Sequence, residues 1–354
     1  MIQGKRSILY IGDGDPNSTS GHRCAALRRL GHRVHLLNTG LSPLTVGERA
    51  FGPWATRLLS TKGLRGLADP LAAGSMQKTM LRTLTEHGPF DLVWVDKGSL
   101  VSRATVELGR GAGLITVHYT SDPPYAHRAG DPRFGRLTHA LPAYDLCVTP
   151  GEEHRPGYAR LGVERLAVMP FCYEPEIHRP PPSDWSDADR PYDAVFVGTP
   201  LEDRIGFLSA LVEDYGIRLG LFGGRWTKLL SPAQQQLLQP GPERIGLAYR
   251  DALWSGKVCL GLHSPSMDHR TARRWVEIAA CGGVLLAQRT DGFAAQFIEG
   301  VEAEAFSDVA DCATKIKALV ADPVRRAALS IAAQARVRPL RSNDQGLQEI
   351  LDRL

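Results

Sequence analysis

The sequence predicts an α/β protein built from two parallel-sheet domains. Three observations carry this. Residues 1–172 alternate short apolar runs with amphipathic stretches; residues 173–192, YEPEIHRPPPSDWSDADRPY, are rich in proline and aspartate and lack apolar periodicity; and from residue 193 a second strand–helix series begins. Near-continuous apolar runs are what strands covered on both faces of a parallel sheet require. A length of 354 residues exceeds what one core comfortably holds, which favours the same division.

Taken in order, SILYIG (7–12) reads as the first strand, GHRCAALRRLG (21–31) as a helix stopped by Gly31, and HRVHLLNT (32–39) as the second strand. Further strands are expected at DLVWVDK (91–97), LITVHYT (114–120), DLCVTP (145–150) and RLAVMP (165–170), with helices between them. Residues 1–172 thus form one domain, and 173–192 read as a linker. DAVFVGT, RLGLFGG, KVCLGLHS and GVLLAQ supply the strands of a second domain, 193–335, closed by helices in ADCATKIKALVADPVRRAALSIAAQARV, and residues 336–354 remain as a terminal segment.

Composition removes several functional classes. Hydrophobic content of 43% with 23% charged residues is that of a soluble globular chain, and no apolar run is long enough to span a bilayer. MIQGKRSILYIG leads into a turn-rich segment instead of a cleavage site, so it reads as a strand and not a signal peptide, and a cytoplasmic location is expected. Six cysteines without any CxxC pair argue against a zinc site or a disulfide frame. A formal charge of +4 favours anionic substrates weakly, the basic residues are not interleaved with aromatics as single-strand binding would require, and no concentrated basic run of the kind a DNA-modifying enzyme would want is visible.

Open α/β sheets bind ligands at the carboxyl ends of their strands, and two such domains would enclose a cleft. The polar loops follow the strands: GDGDPNSTSG, DKGS and SDPP in the first domain, then GTPLEDR, GGRW, HSPSMDHR and QRTDG in the second. GDGDPNSTSG lacks the G-x-G-x-x-G spacing, which disfavours a nicotinamide dinucleotide; Ser18, Thr19 and Ser20 cap the helix that follows, with Arg23 a weaker candidate for the site. The run RRWVEIAACGG (273–283) holds Glu277 on a short helix and ends in Gly282 and Gly283 before a strand. A carboxylate accepts two hydrogen bonds at once and so matches the paired hydroxyls of a ribose, while glycines let backbone N–H groups approach a diphosphate. The alternative is an ordinary ion pair of Glu277 with Arg273 or Arg274. Gly198 and Thr199 end a strand with a bare N–H and a hydroxyl, as an anion pocket needs, and Arg225 and Trp226 follow the next strand, Trp226 as a base-stacking ring or as core. His118 and Asp122 in TVHYTSDPP are the candidate catalytic groups: Asp122 as a general base or as an orienting acceptor, His118 as a reacting group or a core histidine. Asp96 and Lys97 in VDKG are ranked as positioning residues for the acceptor.

Arg274, Glu277, Cys281, Gly282 and Gly283, together with FVGTPLEDR, LFGGRW, VDKG, LRRLGHRV and EAEAFSDVADCATKIKALVADPVRRAAL, resemble the CgeB-like glycosyltransferases (spore maturation protein B), relatives of glycosyltransferase family 4. The resemblance covers nearly the whole chain. It implies a GT-B fold of two Rossmann-like domains, a nucleotide-sugar donor on the second domain, an acceptor on the first, and a last helix, within QGLQEILDRL, that crosses back onto the first. It also implies that Glu277 grips the ribose, that Arg274 and Arg204 bind the diphosphate, and that no metal or resident cofactor is needed, the co-substrate being a UDP, GDP or dTDP sugar. One departure stands out: the first of the two glutamates of family 4 would fall at His269, beside Asp268. Retention of anomeric configuration is the outcome that the relatives suggest. The functional expectation is sugar transfer to a hydroxyl of a small molecule or glycan. An epimerase or phosphorylase of the same fold, and a nucleotide-sugar binding protein without turnover, are the alternatives.

Overall fold

The computed structural model describes residues 4–39, 62–125, 132–201, 203–264 and 270–354. The chain divides into two compact units: Met1–Pro170 together with Asp344–Leu354, and Phe171–Asn343.

Unit 1 holds a six-stranded sheet: β1 (Ser7–Gly12), β2 (Arg33–Asn38), β3 (Leu92–Asp96), β4 (Ile115–Tyr119), β5 (Leu146–Thr149) and β6 (Leu166–Val168). The strand order is β2-β1-β3-β4-β5-β6 and every pairing is parallel. Parallel neighbours need crossovers, and α1 (Thr19–Arg29), α2 (Lys62–His87), α3 (Arg103–Gly111), α4 (Pro132–Ala140) and α5 (Arg155–Arg160) provide them. Ser18 caps α1 by accepting from the Gly21 N–H at 2.9 Å. The apolar runs read from the sequence are buried as expected: Ile8, Leu9, Leu92 and Trp94 are fully enclosed, and Leu9, Ile11, Val93 and Val95 pack on one face of the sheet.

Unit 2 holds β7 (Tyr192–Val197), β8 (Leu219–Phe222), β9 (Gly256–Gly261), β10 (Leu285–Gln288) and β11 (Glu304–Phe306), ordered β11-β10-β9-β7-β8 and again all parallel. The elements around them are α6 (Arg204–Glu213), α7 (Trp226–Leu229), α8 (Pro232–Leu238), α9 (Leu247–Trp254), α10 (Arg273–Ala280), α11 (Phe293–Gln296), α12 (Val309–Ala321) and α13 (Pro323–Val337). Strand β7 shows why its AVFV run (194–197) is apolar on both faces: Val195 and Val197 face one core with Trp275 and Ile278, while Ala194 and Phe196 face another with Leu208 and Ile316.

Residues 173–192 behave differently from a linker. They belong to unit 2, and Tyr173, Glu174 and His178 are buried there. Trp185 donates to the Trp254 carbonyl at 3.3 Å, Asp187 pairs with Arg326, and the Pro180 and Pro181 rings lie against Gly282. Proline and aspartate remove periodicity from a segment without removing its anchors. Residues 336–343 likewise stay with unit 2: the Tyr173 N–H donates to Arg341 and the Asn343 N–H to Tyr173, so the segment runs beside Tyr173. Only α14 (Asn343–Leu351) carries the chain back to unit 1, where Arg6 donates to the Leu351 carbonyl at 3.2 Å and Arg29 pairs with Asp344 at 3.0 Å.

Candidate functional site

Each sheet has one place where strand order reverses, and crevices for ligands open there at the carboxyl ends. In unit 2 the reversal lies between β7 and β9. Arg204 opens α6 at this point, donating to the Thr199 carbonyl at 3.0 Å and to the His263 carbonyl at 3.4 Å, so its guanidinium bridges the ends of both strands. Gly223, at the end of β8, has φ +149 and any Cβ there would strike the Gly198 carbonyl oxygen, so only glycine allows the two strand ends this close. Gly198 donates its N–H to Phe222 at 2.9 Å and its carbonyl accepts from the Trp226 indole at 2.7 Å. Gly198 is therefore used internally, whereas Thr199 is half-exposed at the strand end. Trp226 is 1% exposed and packs edge-on against Phe196, which makes it core and not a stacking platform for a base. Arg225 beside it is exposed, in the left-handed region at φ +74.

Helix α10 brings the second group of residues. Its Trp275 donates to the Gly261 carbonyl at 2.9 Å and anchors the helix to the end of β9. Its N-cap is Ala272, which offers no side-chain acceptor, and its first turn holds no acid; the Trp275 N–H donates to the Ala272 carbonyl at 3.1 Å, and among the described residues the N–H groups of Arg273 and Arg274 remain open to an anion. Glu277 is half-buried and accepts from the Tyr249 hydroxyl at 2.9 Å through Oε2. Burial alone would raise its pKa, but His178, Arg273, Arg274 and that hydroxyl outweigh burial and the net shift is downward, which keeps the carboxylate ionised. The Arg274 guanidinium lies 5.1 Å from the Tyr249 ring centroid. Among the described residues its buried Nη1 has no hydrogen-bond partner, an orphan donor that an oxyanion would satisfy.

Gly282 and Gly283 take another role than the diphosphate contact their spacing suggests. Their N–H groups close the end of α10, donating to Ala279 at 3.0 Å and Ile278 at 2.9 Å, and they lie before β10, at the amino ends of the strands and not at the carboxyl ends where the crevice opens. Gly282 needs its φ of +72, and a Cβ on Gly283 would press on Cys259 and Ile278. Asp268 and His269 lie outside the described residues.

In unit 1 the strand order reverses between β1 and β3, and a buried network fills the point. Arg23 forks onto Asp96 with Nε at 2.6 Å and Nη2 at 2.9 Å, and the Tyr10 hydroxyl donates to Asp96 at 2.9 Å while lying 3.2 Å from the Ser20 hydroxyl. The Arg23 guanidinium also sits 4.3 Å from the Tyr119 ring centroid. Burial opposes the Arg23 charge, yet Asp96 prevails and the guanidinium pKa rises. Lys97 follows directly, exposed and left-handed at φ +63. His118 is fully buried: its Nε2 lies 3.1 Å from the Lys97 carbonyl, its Nδ1 has no hydrogen-bond partner among the described residues, and burial lowers its pKa to about 4. A neutral enclosed ring bracing the Lys97 turn cannot reach a substrate, so His118 is a core histidine. Asp122 does lie at the carboxyl end of β4, half-exposed, with its N–H donating to the Thr120 hydroxyl at 3.2 Å. Tyr249 was invisible to pattern reading because it looks like one more apolar-face residue in LAYRDALW.

The folded units can be set beside known proteins. Alr3699/HepE of Anabaena, solved with UDP-glucose, superposes with a TM-score of 0.64 at 17% identity over 99% of this chain and 100% of that one. Sucrose-phosphate synthase from Thermosynechococcus elongatus gives a TM-score of 0.66 at 15% identity over 98% of each chain. The fold is GT-B. Residues 204–352 match a family model described as glycosyl transferase-like, which places the stretch with Arg204, Arg225, Tyr249, Arg274 and Glu277 inside it. A putative UDP-N-acetylglucosamine 2-epimerase from Listeria monocytogenes shares this GT-B architecture, with a TM-score of 0.57 at 9% identity over 99% of this chain and 95% of that one. No curated protein matches the sequence. Among the described residues no helix is long and apolar enough to cross a membrane.

Proposed function

We propose that the protein is a CgeB-like, cytoplasmic glycosyltransferase that moves a sugar from a nucleoside-diphosphate donor to a hydroxyl acceptor. The observation that carries the reading is the pairing on α10 of an ionised carboxylate, Glu277, with the unpartnered buried Nη1 of Arg274. The carboxylate suits the ribose hydroxyls and the guanidinium suits the diphosphate. HepE, which shares the fold, is solved in complex with UDP and with UDP-glucose, and UDP, GDP or dTDP sugars are the donors proposed here.

In the reaction the bond between the sugar anomeric carbon and the diphosphate oxygen breaks, and a bond from that carbon to the acceptor oxygen forms. Negative charge builds on the departing diphosphate. Arg274, Arg204 and Arg225 with the open N–H groups of α10 stabilise it without a metal ion or a resident cofactor. Retention is favoured, with the acceptor proton passing to the departing phosphate. In the inverting alternative, Asp122 takes it. The acceptor is a small molecule, a glycan or another hydroxyl compound.

The likeness to the Listeria epimerase supports a second reading, interconversion of the donor's sugar. Incubating the chain with each nucleotide sugar, alone and with inorganic phosphate, and following the products by NMR separates them. Slow release of nucleoside diphosphate and free sugar is expected of a transferase deprived of acceptor. A new sugar epimer on the intact nucleotide would establish the second reading, turnover only with inorganic phosphate would mark a phosphorylase, and tight binding with no turnover would reduce the chain to a binding protein.

A further inference from the structure

We infer that Tyr249 is the positioning residue of the donor site, holding the Glu277 carboxylate with its hydroxyl and the Arg274 guanidinium with its ring. The inference rests on the donor-binding reading of Glu277 and Arg274. Tyr249 sits on α9, 28 residues from Glu277 in sequence, and is 8% exposed. Its hydroxyl donates to Glu277 Oε2 at 2.9 Å, the Arg274 guanidinium lies over its ring at 5.1 Å, and the His178 ring meets it edge-on at 5.7 Å and 82°. Three groups of different chemistry thus take their orientation from one side chain.

The chemistry of each contact explains what it leaves available. Burial raises the Tyr249 pKa well above its ordinary value, with Arg274 opposing and Glu277 adding to the shift, so the phenol stays protonated and always donates. A carboxylate pinned at Oε2 has a fixed plane, and among the described residues Oε1 takes no hydrogen bond. A vicinal diol can then place one hydroxyl on Oε1 and the other on the remaining lone pair of Oε2. A cation held over a ring spends none of its N–H donors, which is consistent with the unpartnered Nη1 of Arg274. His178 takes the Glu174 N–H on Nδ1 at 2.9 Å, which locks its own ring and the third side of Tyr249. Orientation fixed before binding removes an ordering cost from the bound state.

The two contacts can be cut separately. Tyr249→Phe removes the hydroxyl and keeps the ring; Tyr249→Leu removes both. Calorimetric titration with whichever of UDP, GDP and dTDP binds the wild-type chain best, and competition by inorganic pyrophosphate, reads the two arms. Tyr249→Phe is expected to weaken the nucleotide about tenfold, as losing a hydrogen bond to a charged group does, and to leave pyrophosphate competition within about twofold. Tyr249→Leu is expected to weaken both. In a Glu277→Gln background the Phe change should cost no more than about twofold, because the hydroxyl acts through that carboxylate and coupled residues are non-additive. Wild-type affinity in Tyr249→Phe, equal losses of nucleotide and pyrophosphate, or independent multiplication of the two changes would each overturn the inference. Failure of the wild-type chain to bind any of the three nucleotides overturns the donor-site reading itself, and this inference with it.

Discussion

Glu277→Ala is expected to weaken nucleoside-diphosphate binding about a hundredfold or more while the chain still melts cooperatively. Two hydrogen bonds from a diol to a carboxylate contribute about 1.5 to 3 kcal/mol each, and every 1.4 kcal/mol is about tenfold in affinity. The carboxylate is ionised before the ligand arrives, since His178, Arg273, Arg274 and Tyr249 together outweigh its burial. Binding therefore costs no deprotonation. Calorimetric titration of wild type and variant measures the difference, and unchanged affinity would remove Glu277 from the site. Were Glu277 only a structural partner of its arginines, the substitution would lower the melting temperature and leave nucleotide affinity alone.

The second large effect belongs to unit 1. Asp96→Ala is expected to destabilise that unit by about 3 to 5 kcal/mol, the cost of leaving a buried charge without its partner. Arg23 is 3% exposed and Asp96 2% exposed, and the loss also strands the Tyr10 hydroxyl's contact with the carboxylate. Urea titration followed by fluorescence would show the midpoint falling for Asp96→Ala. The paired change Arg23→Met with Asp96→Leu should recover most of it, because removing both charges removes the desolvation penalty as well. A single-variant effect below about 1 kcal/mol would mean that water reaches the pair.

Much of this architecture was legible because ILYIG, LVWVD and LLAQ are short apolar runs bounded by turn or polar residues, the pattern that strands covered on both faces require. Strand β11 was not, since EAF is three residues long among acids and its pairing with β10 is decided by tertiary contact. In the candidate site, the shared helix of Glu277 and Arg274 was readable from their spacing. Their partners were not, because Tyr249 and His178 come from distant segments that only the fold brings together. The Arg23–Asp96 pair spans 73 residues and hides for the same reason. Gly282 and Gly283 and His118 misled in the opposite direction. A glycine pair after a helix satisfies helix-capping and phosphate-binding patterns equally, and a histidine ending a strand can face either the solvent or the core. Which demand prevails depends on where the N–H groups and the ring point.

Calorimetric titration of the wild-type chain with UDP, GDP and dTDP tests the donor site most directly. Saturable one-to-one binding of at least one of them, displaced by the corresponding nucleotide sugar and lost in Glu277→Ala, is the predicted result. Absence of binding to all three by a cooperatively folded chain would contradict it.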